Sequence, residues 1–293
     1  MSASVLFDAP GPKTRRRSLI ASIVVLVLIA ALLVWIGLTL AAPRQTSAGL
    51  TLPGYFDPSR WNIFADPLLW RRIGIGVLST LQAAGVAAIL ALLIGIAFAL
   101  LRTSVYAAVR IPTTVVLEFF RGMPVLLMML FILLVASTGT FWAVVIALAI
   151  YNGALIGEAL RAGLASLPRG QREAGLSLGM TRLQTKALIE FPQAFRQMLP
   201  IIVAQLVVLL KDTSLGYIVG YNELIRTTMN NLASFYGNRY LFSLFAVTFV
   251  LYLAINLLLS AFARWLARRT ASGGGAQQVT KATIDASLTA DPR

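Results

Sequence analysis

Long apolar segments alternate with short polar ones along this chain. About 20 helical residues cross the apolar core of a bilayer, so a segment of that length can span a membrane as one helix. Six segments meet this requirement, at residues 19–42, 73–101, 113–136, 141–160, 199–221 and 241–266. The pattern predicts an all-α integral membrane protein with six transmembrane helices.

The composition agrees with this prediction and excludes other classes of protein. Hydrophobic residues make up 58% of the chain and charged residues 12%, against about 25% charged residues in soluble domains. The net charge of +14 would suggest nucleic acid in a soluble protein, but here basic loops that set topology and contact membrane lipid explain it. The sequence has neither His nor Cys, so it offers no imidazole base, HExxH zinc site, thiolate metal site or disulfide.

The polar segments divide the chain further. Residues 1–18 form a basic tail, and a signal peptide is the alternative interpretation of the apolar segment that follows. A signal peptide has an apolar region of about 7–15 residues, which residues 19–42 exceed, so we expect a retained first helix. Residues 43–72 form a polar loop, interrupted by prolines, and residues 270–293 are expected to be a disordered tail.

The distribution of basic residues predicts the orientation, because Lys and Arg concentrate in short cytoplasmic loops. With six spans, both termini lie on one side, and 17 Lys and Arg residues flank the membrane there against six on the other side. We therefore expect both termini in the cytoplasm and residues 43–72 outside the cell. The six residues on the outer side are Arg44, Arg60, Arg71, Arg72, Arg226 and Arg239.

Two pairs of glycines lie four residues apart within predicted spans. They are Gly153 with Gly157, and Gly216 with Gly220. Small residues at this spacing allow two helix backbones to approach closely. The sequence leaves open whether they pack within one subunit or between two subunits.

Residues 161–198 form the largest connection on the predicted cytoplasmic side. Residues 171–178 can form a short helix, and Gly179 can turn the chain after it. Thr181 and Gln184 fit a capping box that begins a second helix. We expect that helix to end near Pro192, because proline lacks the backbone N–H that a helix interior requires.

A sequence motif runs through the same connection. It reads E-A-G, three residues, G, nine residues, I, one residue, F-P. This spacing resembles the EAA loop of the permease subunits of ABC importers, which reads E-A-A, three residues, G, nine residues, I, one residue, L-P. Gly175 and Phe191 are the two departures, and they keep a small and an apolar residue respectively.

The resemblance implies a fold, a function and partners. It implies a five-helix permease domain over residues 73–269, with residues 19–42 as an additional span, and a loop that docks on a cytoplasmic ATPase subunit. It also implies a second permease subunit, homologous or identical, and an extracellular substrate-binding protein. The residues expected to dock are Glu173, Ala174, Gly175, Gly179, Ile189 and Pro192. The chain contains no GxxxxGK[ST] phosphate loop, so we expect a non-enzymatic subunit without a cofactor of its own.

Two further segments narrow the family. Residues 118–124 resemble the E-F-F-R-G-x-P segment of polar amino-acid permeases, and residues 210–215 resemble their L-K-[ND]-[TS]-S-L segment. The N-terminal residues 5–17 resemble actinobacterial glutamate-uptake permeases. The resemblance therefore implies uptake of glutamate, with glutamine or a basic amino acid as the alternative.

Charged residues inside predicted spans are candidates for the substrate pathway, because a charge at the bilayer centre costs about 2.5–3.5 kcal/mol. A cation suits a substrate carboxylate and a carboxylate suits its ammonium group, although each charge can instead have a structural role. The candidates are Lys211, Asp212, Thr213, Ser214, Arg121 and Glu118. Glu158 and Arg161, three residues apart, fit a pair at the membrane edge.

Two other classes of function were weighed. An ion-coupled secondary transporter would use the intramembrane carboxylates as proton carriers, but it leaves the spacing of residues 173–192 unexplained. An intramembrane enzyme lacks His and Cys, and the sequence shows no paired carboxylates at a suitable spacing.

Overall fold

The computed structural model describes residues 11–45, 49 and 51–271, which are almost entirely helical. The α-helices are α1 (Pro12–Ala41), α2 (Pro67–Arg102), α3 (Ala107–Gly122), α4 (Val125–Ala136), α5 (Thr140–Ser166), α6 (Arg169–Ser177), α7 (Arg182–Thr185), α8 (Phe191–Asp212), α9 (Leu224–Arg226), α10 (Ala233–Tyr236) and α11 (Leu241–Ala271). Strands β1 (Arg44–Gln45) and β2 (Thr51–Leu52) pair antiparallel. Short 3-10 helices lie at Pro58–Arg60, Asn62–Ala65, Thr213–Tyr217 and Asn238–Tyr240, and π-helical turns at Lys186–Glu190 and Thr227–Leu232. Residues 1–10 and 272–293, which hold most of both predicted tails, lie outside the described residues.

The predicted helical membrane architecture is confirmed. Five helices in the described part are long and apolar enough to cross a membrane, and there are six spans if the bent pair α3–α4 counts as one. Helix α5 lies at the centre, since 67% of its most apolar window is buried, and α2, α4 and α8 pack around it. The corresponding window of α1 is 0% buried, so this helix stands outside the core and exposes its apolar side chains to lipid.

Close packing of α2 on α5 depends on small residues. A Cβ atom added at Gly153 would lie 2.7 Å from Ile94 Cγ2, and one at Gly157 would lie 2.9 Å from Phe98 Cβ. A Cβ atom at Gly216 would lie 3.2 Å from Val144 Cγ2, a side chain of α5. These three glycines therefore make close contacts within one subunit, whereas a Cβ atom at Gly220 would lie no nearer than 3.7 Å to its neighbours.

The third predicted span, residues 113–136, is wrong as a single straight helix. Helices α3 and α4 meet at an angle of 103°. The cause is Pro124, which disfavours the helical region for the residue before it, and Met123 is accordingly extended with ψ 130°. Pro112 lies inside α3, which begins at Ala107, six residues before the predicted span.

The expected helix end near Pro192 is also wrong. A continuous helical run extends over Arg182–Tyr217 and joins the connection after α5 to the fifth span, predicted to begin only at residue 199. The π-helical turn Lys186–Glu190 precedes Pro192, and the proline then sits in the first turn of α8. A proline is tolerated in a first turn, so the helix passes through it.

Candidate functional site

The connection between α5 and α8 contains a helix, a turn and a second helix. Helix α6 ends at Ser177, and Gly179 follows in the left-handed region with φ +76°, which glycine adopts without steric cost. Thr181 and Gln184 form the expected capping box: the Gln184 N–H donates to Thr181 Oγ1, and the Thr181 N–H donates to Gln184 Oε1. We call residues 169–192 the coupling segment.

Helix α6 packs tightly on the helical run that follows it. Gly175 is buried, and a Cβ atom there would lie 2.6 Å from Thr185 Cγ2 and 3.0 Å from Ile189 Cδ1. Arg172 Nε donates to Glu190 Oε1 at 2.8 Å, and the Glu190 side chain is 7% exposed. These contacts hold the two halves of the coupling segment together as one unit.

The coupling segment is also tied to the end of α2. Lys186 Nζ donates to the carbonyl oxygen of Thr103, directly after α2. A cavity of about 800 Å³ lies between the α2–α3 connection and the coupling segment. The segment is therefore joined to the end of α2 as well as, through the helical run, to α8.

Large apolar side chains project from the coupling segment. Leu178, Leu183 and Leu188 are 81%, 73% and 68% exposed, and exposed leucines grouped on a polar segment indicate a contact surface. Among the predicted docking residues, Glu173, Ala174, Gly179 and Pro192 are exposed, Ile189 is half-buried and Gly175 is buried. The buried Gly175 therefore allows close packing within the segment, and the exposed residues lie on the surface of the segment.

A network of charges joins α2, α3 and α5 at the end where the coupling segment attaches. Arg102 donates to both Glu118 and Glu158. The expected pairs of Glu118 with Arg121 at 3.1 Å and of Glu158 with Arg161 at 2.7 Å are both present. The bridging role of Arg102 was missed, because it connects residues far apart in sequence.

The remaining candidates for the substrate pathway lie far from this network. Lys211 is exposed in the last turn of α8, Asp212 and Ser214 are half-buried, and Thr213 is buried. Thr213 lies beside the hydroxyl of Tyr252, which also contacts Thr80 of α2. Thr80 is 22 residues before Arg102, or about 33 Å along a helix. The structure therefore divides the candidates into two separate groups, Glu118 with Arg121 and residues 211–214.

Two buried polar contacts near residues 211–214 were not predicted from the sequence. Gln205 donates to Asn152 at 2.7 Å and links α8 to α5. Glu223 is fully buried, accepts from the backbone N–H groups of Ile225 and Arg226 and from Tyr252, and burial raises the pKa of its carboxyl group. Polar residues within apolar segments indicate that such contacts exist. Their partners lie on other helices, so the sequence does not identify them.

A further contact fixes the opposite end of α2. Asp66 caps this helix by accepting from the Leu68 N–H, and it also accepts from the Tyr236 hydroxyl. This hydrogen bond lowers the pKa of Asp66 and raises that of Tyr236 to about 12. The start of α2 is thereby joined to α10.

The fold, with its apolar spans and a projecting coupling segment, is that of a membrane-spanning transport subunit. Residues 91–272 match the family described as the inner membrane component of binding-protein-dependent transport systems. The chain belongs to this family and is a multi-pass membrane protein. It is a transport subunit rather than an enzyme.

Comparison with individual proteins gives the same class. The chain is 37% identical to the glutamate transport system permease protein GluD of Corynebacterium glutamicum, over 75% of this chain and 83% of GluD. It is 34% identical to the probable glutamine ABC transporter permease protein GlnP of Bacillus subtilis, over 65% and 90%. The crystal structure of an amino acid ABC transporter with histidines superposes with a TM-score of 0.61 at 28% identity, covering 68% of this chain and 94% of that one. The resemblance to ABC permeases for polar amino acids is confirmed.

Proposed function

We propose that this chain is the permease subunit of an ATP-driven importer and that its substrate is glutamate. The observation that carries the substrate is the 37% identity, over three quarters of the chain, to a glutamate transport permease. The glutamine permease that also matches makes glutamine the competing substrate. The partners are a cytoplasmic ATPase subunit, a substrate-binding protein outside the membrane, and a second permease subunit, homologous or identical.

The coupling segment is the docking site for the ATPase subunit in this proposal. Its exposed leucines supply an apolar contact surface, and Glu173 supplies a charge at the edge of that surface. Docking requires a stiff element, and the capping box, Gly175 and the Arg172–Glu190 ion pair give the segment that stiffness. The docking residues are Glu173, Ala174, Gly175, Gly179, Ile189 and Pro192.

Lys211 and Asp212 are assigned to the substrate pathway. Lys211 is exposed within a span, and a charge that faces lipid costs about 2.5–3.5 kcal/mol on insertion scales. An exposed Lys211 is therefore expected to face a polar path or a second permease subunit. Its ammonium group suits a substrate carboxylate, while Asp212 suits the substrate ammonium, with the hydroxyls of Thr213 and Ser214 beside them.

Glu118 and Arg121 have a different role in the proposal. They belong to the charge network at the inner ends of α2 and α5, so they hold or gate that end of the pathway. Their distance from residues 211–214 separates the gate from the place where Lys211 and Asp212 meet the substrate.

The test is ATP-driven uptake of radiolabelled amino acids by proteoliposomes that contain the whole complex. We expect glutamate to be taken up in preference to glutamine and arginine. Glu173→Ala is expected to lower uptake and ATPase co-purification, whereas Asp57→Asn, at an acidic residue outside the coupling segment, leaves both unchanged. Undiminished uptake by Glu173→Ala contradicts the docking role, and preferential uptake of glutamine contradicts the substrate alone.

A further inference from the structure

A basic pocket of about 700 Å³ opens at the end of the molecule opposite the coupling segment. It lies between the β1–β2 pair, the 3-10 helix Pro58–Arg60 and the first turn of α11. Helix α2 begins just after this region and ends beside the coupling segment, 36 residues later. At 1.5 Å per residue the two ends are about 54 Å apart, so the pocket lies at the other face of the membrane.

Three arginines on the pocket wall are held in place by neutral groups. Arg44 donates to the Tyr55 hydroxyl at 2.9 Å, and Arg239 donates to the Tyr240 hydroxyl. Arg60 donates to the carbonyl oxygens of Pro53 at 3.0 Å and of Arg239 at 2.8 Å. The guanidinium groups of Arg44 and Arg60 also lie 4.5 Å and 5.1 Å from the centre of the Tyr55 ring. The arginines are thus ordered before any ligand arrives.

The positive charge of these arginines is balanced only in part by the protein. Asp57 acts electrostatically on Arg60, but in the described part of the chain none of Arg44, Arg60 and Arg239 forms an ion pair, and no Asp or Glu lines the pocket. Arg60 is only 8% exposed, and a buried cation without a close counter-ion is unfavourable. A guanidinium has five donors that match phosphate oxygens, so an anion of this chemistry would balance the site.

The other half of the pocket is apolar and faces the membrane. Leu241 and Phe245 are 41% and 53% exposed, on a helix long and apolar enough to span. Phe242 stacks on Tyr55 with ring centres 4.4 Å apart, which joins the apolar half to the basic half. Cations at the end of a span followed by exposed apolar residues match the headgroup and the acyl chains of a phospholipid.

We propose that this pocket binds an anionic phospholipid from the leaflet opposite the coupling segment. The phosphate lies among Arg44, Arg60 and Arg239, and the acyl chains follow Leu241 and Phe245 along α11. Because Arg44 lies three residues after α1 and Arg239 two residues before α11, the lipid joins two membrane helices at their outer ends.

The experiment is native mass spectrometry of the purified complex, titrated with phosphatidylglycerol or with phosphatidylcholine of the same acyl chains. The double variant Arg44→Gln/Arg239→Gln removes two exposed charges and leaves the buried Arg60 in place. The matched control is Arg71→Gln/Arg72→Gln, two exposed arginines of α2 that do not line the pocket. We expect the wild type to bind phosphatidylglycerol more tightly, and the double variant to lose about tenfold or more of that affinity, since charge-assisted hydrogen bonds are lost. The control keeps the wild-type affinity.

Several results would overturn the proposal. One is equal affinity for the two lipids, and another is unchanged phosphatidylglycerol binding by the double variant. Displacement of the lipid by inorganic phosphate at equal concentration would assign the pocket to a free anion. Weaker binding of the substrate-binding protein with unchanged lipid affinity would assign it to an acidic protein surface. Size-exclusion profiles verify folding, and Arg44→Gln alone replaces the double variant if that variant does not assemble.

Discussion

Two glycines of the coupling segment are needed for different physical reasons. Gly179 has a positive φ and open space around its missing side chain, so only its backbone conformation matters. Gly175 lies inside α6, where any residue fits the backbone, but its missing Cβ makes room for Thr185. The motif spacing indicated both positions, whereas only the structure separates a turn from a close contact.

The contact at Gly175 predicts a rescue. Gly175→Ala is expected to lower the thermal stability of the purified complex and the uptake rate, because the new methyl group would lie 2.6 Å from Thr185 Cγ2. Thr185→Ala removes that methyl carbon and also the hydroxyl oxygen, which would lie 2.9 Å from the new methyl group, so Gly175→Ala/Thr185→Ala is expected to recover most of the loss. Thermal unfolding and uptake measure both effects. A double variant as impaired as Gly175→Ala would show that the cost lies elsewhere.

Single residues buried between helices are the part of the site that sequence predicts least well. The pairs three residues apart, such as Glu118 with Arg121, follow from helix geometry. Arg102 and Glu223 act on partners that reach them only after the chain has folded. The spacing of residues along the chain does not specify such contacts. The sequence therefore identifies the charged residues but not the pairs that they form.

At the scale of elements, the capping box begins the helical run that enters the membrane. Thr181→Ala removes the acceptor for the Gln184 N–H and is expected to destabilise the start of the run by about 1 kcal/mol. Hydrogen exchange of the amides of residues 182–185 should become faster by about fivefold, while Thr181→Ser keeps the wild-type rates. Unchanged exchange in Thr181→Ala would mean that packing on α6 alone holds this end.

Helix boundaries show where prediction from sequence succeeds and where it fails. Each span can be predicted from the length of its apolar segment, because a helix needs a minimum apolar length to cross the bilayer. Proline has opposite effects at two places: Pro124 follows an extended residue and bends the chain, while Pro192 lies in a first helical turn and leaves the run continuous. The conformation of the surrounding backbone determines which outcome occurs, and the sequence alone does not specify that conformation.

At the scale of the whole molecule, the excess of basic residues predicts the orientation. The chain has no Cys, so single cysteines can be introduced without a background. We expect Ser177→Cys, in the coupling segment, to react with a membrane-impermeant maleimide only after cells are opened. Ser59→Cys, near the basic pocket, should react in intact cells. Both residues are exposed, and the reverse labelling pattern would contradict cytoplasmic termini.

The arrangement of the spans was predictable only in part. Their number follows from apolar length, which is a local property of the sequence. That α5 is central and α1 peripheral does not follow, because both are apolar along their length and differ only in what packs on them. Burial at the centre depends on the small residues of α2, and their partners are set by the tertiary fold.

The uninterrupted helical run Arg182–Tyr217 has a mechanical consequence. Its 36 residues, α-helical apart from one π-helical turn and a final 3-10 turn, extend over about 54 Å. If an ATPase subunit tilts the inner end of this run by about 5°, simple leverage moves Lys211 and Asp212, about 44 Å along it, by roughly 4 Å. That displacement exceeds the width of a water molecule, so a modest rotation at the nucleotide-hydrolysing partner is enough to open or close an aperture across the membrane.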